Sequence, residues 1–114
     1  MATSKYKAKR HEFNGHPFAS GREKRRYQEL LLLERAGQIQ NLELQPKYEL
    51  IPKAIKADGS IERAAVYTAD FRYIGDGVLV VEDVKSKATA KLADYVLRRK
   101  LMLFVHGIEV REVF

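Results

Sequence analysis

The chain has 114 residues, enough for one small domain with a single hydrophobic core. It has no cysteine, which excludes a disulfide framework and a thiolate zinc site, and its three histidines, His11, His16 and His106, lack the spacing of a metal-binding pair on a helix. Lys and Arg number 21 against 15 Asp and Glu, and this formal charge of +6 predicts a phosphate-rich partner.

An N-terminal arm at residues 1–19 is the first predicted element. It mixes basic side chains with glycine, asparagine and proline and shows little periodicity, so we expect it to be flexible without DNA. Polar residues follow its basic start, which argues against a secretory signal, and no apolar run has the length of a membrane span. The sequence therefore predicts a soluble cytoplasmic protein with one folded domain at residues 20–114.

A helix is predicted to begin after Ser20. Ser20 and Glu23 have the spacing of a capping box, in which the two side chains bond to each other's backbone N–H groups. The helix is expected to end at Ala36 and Gly37, because glycine is a favoured stop. Its run from Leu30 to Leu33 is apolar on more than one face, so this helix can serve both the core and a dimer interface.

Three strands are predicted to follow as an antiparallel meander. Each pair of strands is separated by a segment rich in Asp and Gly, which is typical of a tight turn. The expected strands and turns are, in chain order, 47–56, 57–60, 61–73, 75–77 and 78–85. The segment 39–44 is not assigned to a strand.

A second helix and a last strand complete the predicted fold. Apolar positions recur at helical spacing over residues 87–105, and Gly107 introduces a strand at 108–113. A strand, helix, strand unit normally returns to give a parallel neighbour, so we expect a mixed sheet. The predicted fold class is α/β, with the element order α-β-β-β-α-β around one mixed central sheet.

The end of the third strand carries an acid and a lysine two residues apart. Side chains alternate along a strand, so Asp83 and Lys85 share a face, whereas Glu82 lies on the other face unless a β-bulge intervenes. A metal-dependent nuclease uses such a pair. The competing interpretation is a strand that reaches solvent, where the two side chains form a surface ion pair worth at most about 1 kcal/mol.

Two further acids strengthen the first interpretation. Asp70 lies on the preceding strand, where aspartate is uncommon, although it can also be a polar residue on the solvent face. Glu23 can supply a third carboxylate, cap the helix, or do both. Without cysteine a metal must be bound by carboxylates, which favours Mg²⁺ or Mn²⁺. Gln45 can lie near this metal or satisfy a buried backbone group, and His106 is expected at a helix end rather than in catalysis.

Basic residues are concentrated in clusters, one of them at 5–10. Such clustering is typical of a nucleic-acid surface, although solvated helix faces and a flexible tail are the competing explanation. The residues expected to contact phosphate are Arg22, Arg25, Arg26, Lys87, Lys91, Arg98, Arg99 and Lys100.

Three segments together resemble the PD-(D/E)XK nuclease superfamily. They are Ser20-Gly21-Arg22-Glu23, Tyr67-Thr68-Ala69-Asp70-Phe71 and Val81-Glu82-Asp83-Val84-Lys85-Ser86. The resemblance covers about residues 20–113 and is greatest to phage endonuclease I type Holliday junction resolvases and to a related family of small phage proteins catalogued as having unknown function. Ala69 replaces the proline of the motif, and the doublet Glu82-Asp83 leaves two acids to choose from.

The resemblance implies a restriction-endonuclease-like core and a Mg²⁺-dependent endodeoxyribonuclease of DNA recombination, active in the cytoplasm of a bacterial host, with Mn²⁺ able to replace Mg²⁺. Asp70 and Asp83 would bind the metal, and Glu23 would be a further ligand, directly or through water. Lys85 would position the attacking water and stabilise charge on the phosphate.

A resolvase makes paired incisions, so a chain with one site is expected to act as a homodimer on branched DNA. The alternatives are a non-catalytic DNA-binding phage accessory protein on a nuclease fold, and a nickase or repair nuclease with the same chemistry.

Overall fold

A computed structural model of the protein describes residues 11–114, in which two helices flank a mixed β-sheet. The helices are α1 (Gly21–Arg35) and α2 (Ala93–His106). The strands are β1 (His11–Phe13), β2 (His16–Phe18), β3 (Ile39–Leu44), β4 (Lys47–Ile51), β5 (Ala54–Ile55), β6 (Ile61–Glu62), β7 (Ala65–Thr68), β8 (Phe71–Gly75), β9 (Val78–Val84) and β10 (Arg111–Val113). The predicted α/β class with a mixed sheet is confirmed.

The central sheet has four strands in the order β10-β9-β8-β3. β8 is antiparallel to β3 and β9, and β10 returns parallel to β9, as predicted for the last strand. The edge strand β3 is the segment that the sequence left unassigned. Its register shifts between Gln40 and Glu43, and Asn41 has a left-handed φ of 59°, so this irregularity hides the alternation that would identify a strand.

A bent hairpin replaces the first two predicted strands. β3 and β4 run up one side and β7 and β8 return along the other, with β3 paired to β8 and β4 paired to β7. Gln45, in the left-handed region with φ 51°, marks the bend. Pairing continues through it, because Gln45 N donates to Asp70 O at 2.9 Å and Ala69 N donates to Pro46 O at 3.1 Å.

The bend divides the core between the two faces of the sheet. Tyr67 and Ala69 pack with Tyr95 and Met102 of α2, whereas Phe71 packs in a second cluster with Tyr27 and Leu30 of α1. In a regular strand, residues 67, 69 and 71 would all share one face. The bend at Asp70 is therefore what allows one strand segment to fill both cores.

The helix boundaries follow local hydrogen bonding. Ser20 Oγ accepts from Glu23 N at 3.1 Å and so caps α1 as predicted, while the Glu23 carboxylate accepts from Ala19 N at 3.1 Å. α2 begins at Ala93 rather than at 87, since a 3₁₀ turn at Thr89–Lys91 precedes it, held by side-chain hydrogen bonds between Ser86 and Thr89. Neither helix of the described chain is long and apolar enough to cross a membrane.

Part of the predicted flexible arm is folded. β1 and β2 form a hairpin around Asn14 and Gly15, and its Phe13 and Phe18 rings pack on Tyr27 of α1. The folded region therefore begins by residue 11 rather than at 20. Asn-Gly is a strong turn signal that the sequence analysis did not use. Residues 1–10, with the basic cluster at 5–10, lie outside the described residues.

A buried ion pair ties α1 to β9. Glu82 is fully buried, and Arg26 donates to both of its carboxylate oxygens, from Nε at 2.9 Å and from Nη2 at 2.7 Å. The Tyr73 hydroxyl also donates to Glu82. The hydrogen bond to Glu82 raises the pKa of Arg26, so its guanidinium stays charged. Arg26 thus has a structural role, and its predicted phosphate contact stays a prediction.

Replacing Arg26 by methionine should destabilise the fold by about 3–5 kcal/mol, because it leaves the Glu82 carboxylate buried without its cation. Urea denaturation followed by circular dichroism measures the loss. Glu29→Gln removes only the exposed partner of the same arginine and should change the free energy of unfolding by less than about 0.5 kcal/mol. Equal effects of the two substitutions would show that the buried pair carries no special stability.

Candidate functional site

Asp70 and Asp83 lie side by side where β8 and β9 separate. Asp83 Oδ1 accepts from the backbone N of Asp70 at 2.9 Å, and Asp70 Oδ2 accepts from the backbone N of Val84 at 2.7 Å. Each carboxylate is thus fixed by the chain segment that carries the other. The bend at Asp70 and the end of β9 together place two acids at one point.

Asp83 is almost entirely buried, with 4% of its surface exposed. Its second oxygen accepts from the Tyr67 hydroxyl and lies 4.0 Å from the Lys85 ammonium. Burial raises the pKa of Asp83, while the Tyr67 hydrogen bond and the Lys85 charge oppose that shift. The predicted pairing of Asp83 with Lys85 is present, and it lies in a partly buried site rather than on an open surface.

Asp70 is held in a crowded acidic environment. Burial, and then the nearby Asp83 and Glu23 carboxylates, raise its pKa to about 8, against an opposing hydrogen bond from the Val84 N–H. Glu23 and Asp70 line one cavity of about 100 Å³. Glu23 bonds to the backbone at the start of α1 and also lies near Asp70, and its role as a metal ligand stays a prediction.

Glu82 does not join this cluster. β9 pairs with β8 in unbroken register from Val78 to Glu82, so strand alternation sends Glu82 toward α1 and Asp83 toward α2. The structure places the two acids of the doublet at different sites. Asp83 lies beside Asp70 and Lys85, whereas Glu82 is paired with Arg26. Their functional roles stay predictions.

Tyr95 supports Lys85, and it is not among the site residues predicted from the sequence. The Lys85 ammonium lies 4.0 Å from the centre of the Tyr95 ring, a cation–π contact. The Tyr95 hydroxyl donates to Glu112 at 2.7 Å, and Arg99 donates to the same carboxylate at 2.9 Å. Tyrosine at a core position was the available signal, for Tyr67 and Tyr95 alike, because a buried hydroxyl needs a partner.

Two more polar residues line the cavity beside Asp70. Gln45 reaches it from the bend, where its left-handed backbone is unusual for a residue other than glycine, and His16 reaches it from β2. No sequence signal singled out His16, which fell within the predicted arm. His106 is at the end of α2 and contacts the Glu49 carbonyl oxygen at 2.7 Å.

A basic groove adjoins the cluster. Arg22 and Arg25 of α1 line it together with Lys85, and its volume is about 490 Å³. Arg22 Nη1 donates to the Lys85 carbonyl oxygen at 3.2 Å, which joins the start of α1 to the end of β9. Ser86 and Thr89 add hydroxyl groups to the same groove.

The other residues predicted to bind phosphate fall into two groups, those paired with an acid and those that are not. Arg99 is paired with Glu112, as Arg26 is with Glu82, so each already neutralises an acid. The remaining ones lie outside the groove that Arg22 and Arg25 line. They are Lys87, Lys91 and Lys100, which are exposed, and Arg98, which is half-buried.

The acids fit a divalent cation in their chemistry, although the three predicted ligands are not gathered at one point. Within residues 11–114 no group of three or more His, Asp or Glu side chains is arranged to hold a metal. Asp70 and Asp83 do lie together, and their oxygens are the donors that Mg²⁺ prefers. Mg²⁺ commonly binds to one or two carboxylates and completes its shell with water and substrate phosphate.

Asp70→Asn should stabilise the metal-free protein at pH 8 by about 1–3 kcal/mol. The folded pKa of about 8 lies above the ordinary 3.8, so the folded state retains a proton that the unfolded state loses, and stability falls as the pH rises between these values. The asparagine carbonyl can still accept from Val84 N. Thermal unfolding in EDTA from pH 4 to 8 tests this. An unchanged pH dependence in the variant would refute it.

The comparisons with known proteins identify a family by sequence. A family model described as "Protein of unknown function (DUF1064)" matches residues 3–111. No curated protein and no solved structure matches the chain. Since the family model covers nearly the whole sequence, the chain belongs to the DUF1064 family.

Proposed function

We propose that the protein is a metal-dependent DNA endonuclease of the PD-(D/E)XK type, built on a restriction-endonuclease-like core. The cluster of Asp70, Asp83 and Lys85 is the observation that carries this proposal. A buried and a half-buried carboxylate side by side, with one lysine beside them, cost stability, and a surface ion pair would not need that burial. A catalytic requirement explains why such a costly arrangement is present.

Asp70 and Asp83 would hold Mg²⁺, with Mn²⁺ able to take its place, and Glu23, which lines the same cavity as Asp70, would be a further ligand, directly or through water. When bound, the ion would supply an activated water and neutralise charge on the phosphate. Tyr67 and the backbone N–H of Asp70 hold the Asp83 carboxylate in a fixed orientation. Preorganisation of this kind lowers the cost of reaching the reactive geometry.

Lys85 would orient the attacking water and stabilise negative charge on the phosphate. The Tyr95 ring at 4.0 Å and the Asp83 oxygen at 4.0 Å restrict its ammonium group to the metal-binding side of β9. Arg22 and Arg25 line the groove on the other side of Lys85 and are suited to the DNA backbone next to the cleaved phosphate. No covalent intermediate is needed.

The proposed substrate is branched DNA, with the protein acting as a homodimeric Holliday junction resolvase. One such acidic cluster is present within residues 11–114, and a symmetric pair of incisions would require two copies. A nickase or repair nuclease would use the same acidic cluster on another DNA substrate. A DNA-binding accessory protein would use the basic groove and would not need the acidic cluster.

Cleavage of DNA should depend on Mg²⁺ and on Asp83 rather than on Glu82. Labelled four-way junction, flap, duplex and single-stranded DNA are incubated with Mg²⁺ or EDTA. The junction should be cut fastest, EDTA should stop cleavage, and Asp83→Asn, Asp70→Asn and Lys85→Ala should each reduce the rate by a factor of at least about 100. The affinity of these three variants for DNA, measured in Ca²⁺, should change little, because none of the three substituted side chains is proposed to contribute to DNA affinity.

Glu82→Gln is the matched control for Asp83→Asn. It lies on the opposite face of the same strand, so it should lower stability and leave cleavage near the wild-type rate at a temperature where the variant is folded. Cleavage in EDTA at the wild-type rate would exclude the metal mechanism. Binding without cleavage of any of the four substrates would favour the accessory protein.

The basic groove should make a measurable contribution to DNA affinity. Replacing Arg22 and Arg25 by glutamine removes two phosphate contacts, and each contact adds about 0.9 to the slope of log affinity against log salt on duplex DNA. Fluorescence anisotropy in a salt series gives that slope. Arg35→Gln, on the exposed last turn of the same helix, is the control and should leave it unchanged. Equal slopes for the wild type and both variants would show that DNA does not bind in this groove.

A further inference from the structure

The bent hairpin extends beyond the domain as an uncovered tip. Every residue from 51 to 63 is exposed, and β5 and β6 pair only through Ala54 with Glu62 and Ile55 with Ile61. We call residues 51–63 the projecting hairpin. Its turn is well formed, since Ser60 bonds to the Asp58 carboxylate and Gly59 has a left-handed φ of 88°. It is therefore an ordered structure without a layer to cover it.

Large aliphatic side chains occupy this uncovered tip. Ile55 is 78% exposed and Ile61, directly opposite it in the ladder, is 60% exposed, so the two form one apolar pair on one face. Ile51 at the root is 50% exposed. A two-stranded hairpin in water is marginally stable alone, and neighbouring exposed aliphatic side chains that form one patch favour an interaction site over an ordinary surface.

The end of α2 lies near the root of the projecting hairpin, because His106 contacts the carbonyl oxygen of Glu49 in β4. Phe104 is 86% exposed and Leu103 is 56% exposed in that last turn. A standard interface uses about 20–30 residues from each side. The projecting hairpin alone is smaller than this, so an interface centred on it would also use neighbouring exposed residues such as those at the end of α2.

We propose that this surface is the dimer interface, occupied by a second copy of the chain. The inference rests on the proposed function, which needs two sites acting together. The charges of the projecting hairpin favour another copy over DNA. Its cations are Lys53, Lys56 and Arg63, its acids are Asp58 and Glu62, and Lys56 is already paired with Glu62 at 3.0 Å. A surface that carries both signs around an apolar centre can match itself across a two-fold axis.

The earlier candidate interface on α1 is less suitable. Of the leucine run, Leu30 is buried, Leu31 and Leu33 pack against the α1 core cluster, and Leu32 alone is well exposed, at 65%. One exposed leucine is ordinary for a protein surface. It nevertheless provides a control, because Leu32 is an aliphatic side chain whose exposure lies between those of Ile55 and Ile61.

The test compares Ile55→Glu/Ile61→Glu with Leu32→Glu, both in the full chain. Sedimentation equilibrium should show a wild-type dimer, a dissociation constant at least tenfold higher for the hairpin variant, and an unchanged dimer for Leu32→Glu. Circular dichroism confirms that both variants are folded. A monomeric wild-type protein at the concentrations used for cleavage would overturn the proposal, and so would a hairpin variant that dimerises as tightly as the wild type.

A cleavage assay separates this proposal from the nuclease assignment. The monomeric hairpin variant retains Asp70, Asp83 and Lys85, so it should still nick one strand with Mg²⁺ and lose paired incision of a junction. If dimerisation depends on Ile55 and Ile61 but the protein never cleaves DNA, the proposed interface is supported and the nuclease assignment is wrong. Reduced DNA affinity of the hairpin variant, with a monomeric wild-type protein, would show that the hairpin contacts DNA and would reject the interface.

Discussion

Strand alternation at the end of β9 is the constraint on which the rest of the structure depends. Glu82 and Asp83 are neighbours in sequence and point to opposite faces of one sheet, and both are buried. On the α1 side Glu82 receives a guanidinium and a hydroxyl, so its charge is fully compensated. On the α2 side Asp83 receives a hydroxyl, a backbone N–H and only a distant ammonium. One acid therefore stabilises the fold, and the other remains available for chemistry.

The difference between these two acids explains why a strand would retain such a doublet. A buried carboxylate with a bidentate arginine is satisfied, whereas two carboxylates that crowd each other retain unfavourable repulsion. Burial raises the pKa of both Asp70 and Asp83, and the Asp83 charge adds to the shift of Asp70. In the proposed function, a divalent cation bound by the two carboxylates would offset the stability that their burial costs.

Regular elements were predictable from sequence, and irregular ones were not. The cap at Ser20, the stop at Gly37 and the alternation of β9 follow from rules that involve a few neighbouring residues, and the structure shows all three. The bend at Gln45 and Asp70 was missed because it depends on pairing between distant segments rather than on local pattern. For the same reason Tyr67 and Tyr95 were identified only as core residues. Their hydroxyl partners, Asp83 and Glu112, come from other strands.

The bend at Gln45 and Asp70 links the acidic cluster to the proposed dimer interface. The register of β8 and β9, which pairs Phe71 with Glu82, sets Asp70 opposite Asp83, and the Asp70 carboxylate accepts from Val84 N. Beyond the bend the remaining hairpin leaves the central sheet. A straight hairpin would keep Tyr67 on the face of Phe71, away from the α2 core and from Asp83. The same local distortion thus brings Tyr67 to Asp83 and projects the isoleucines. If two copies meet through those isoleucines, the length of the paired strands β4 and β7 sets the distance between the two acidic clusters. This paired segment would then match the spacing of the two active sites to the spacing of the DNA strands that they cut.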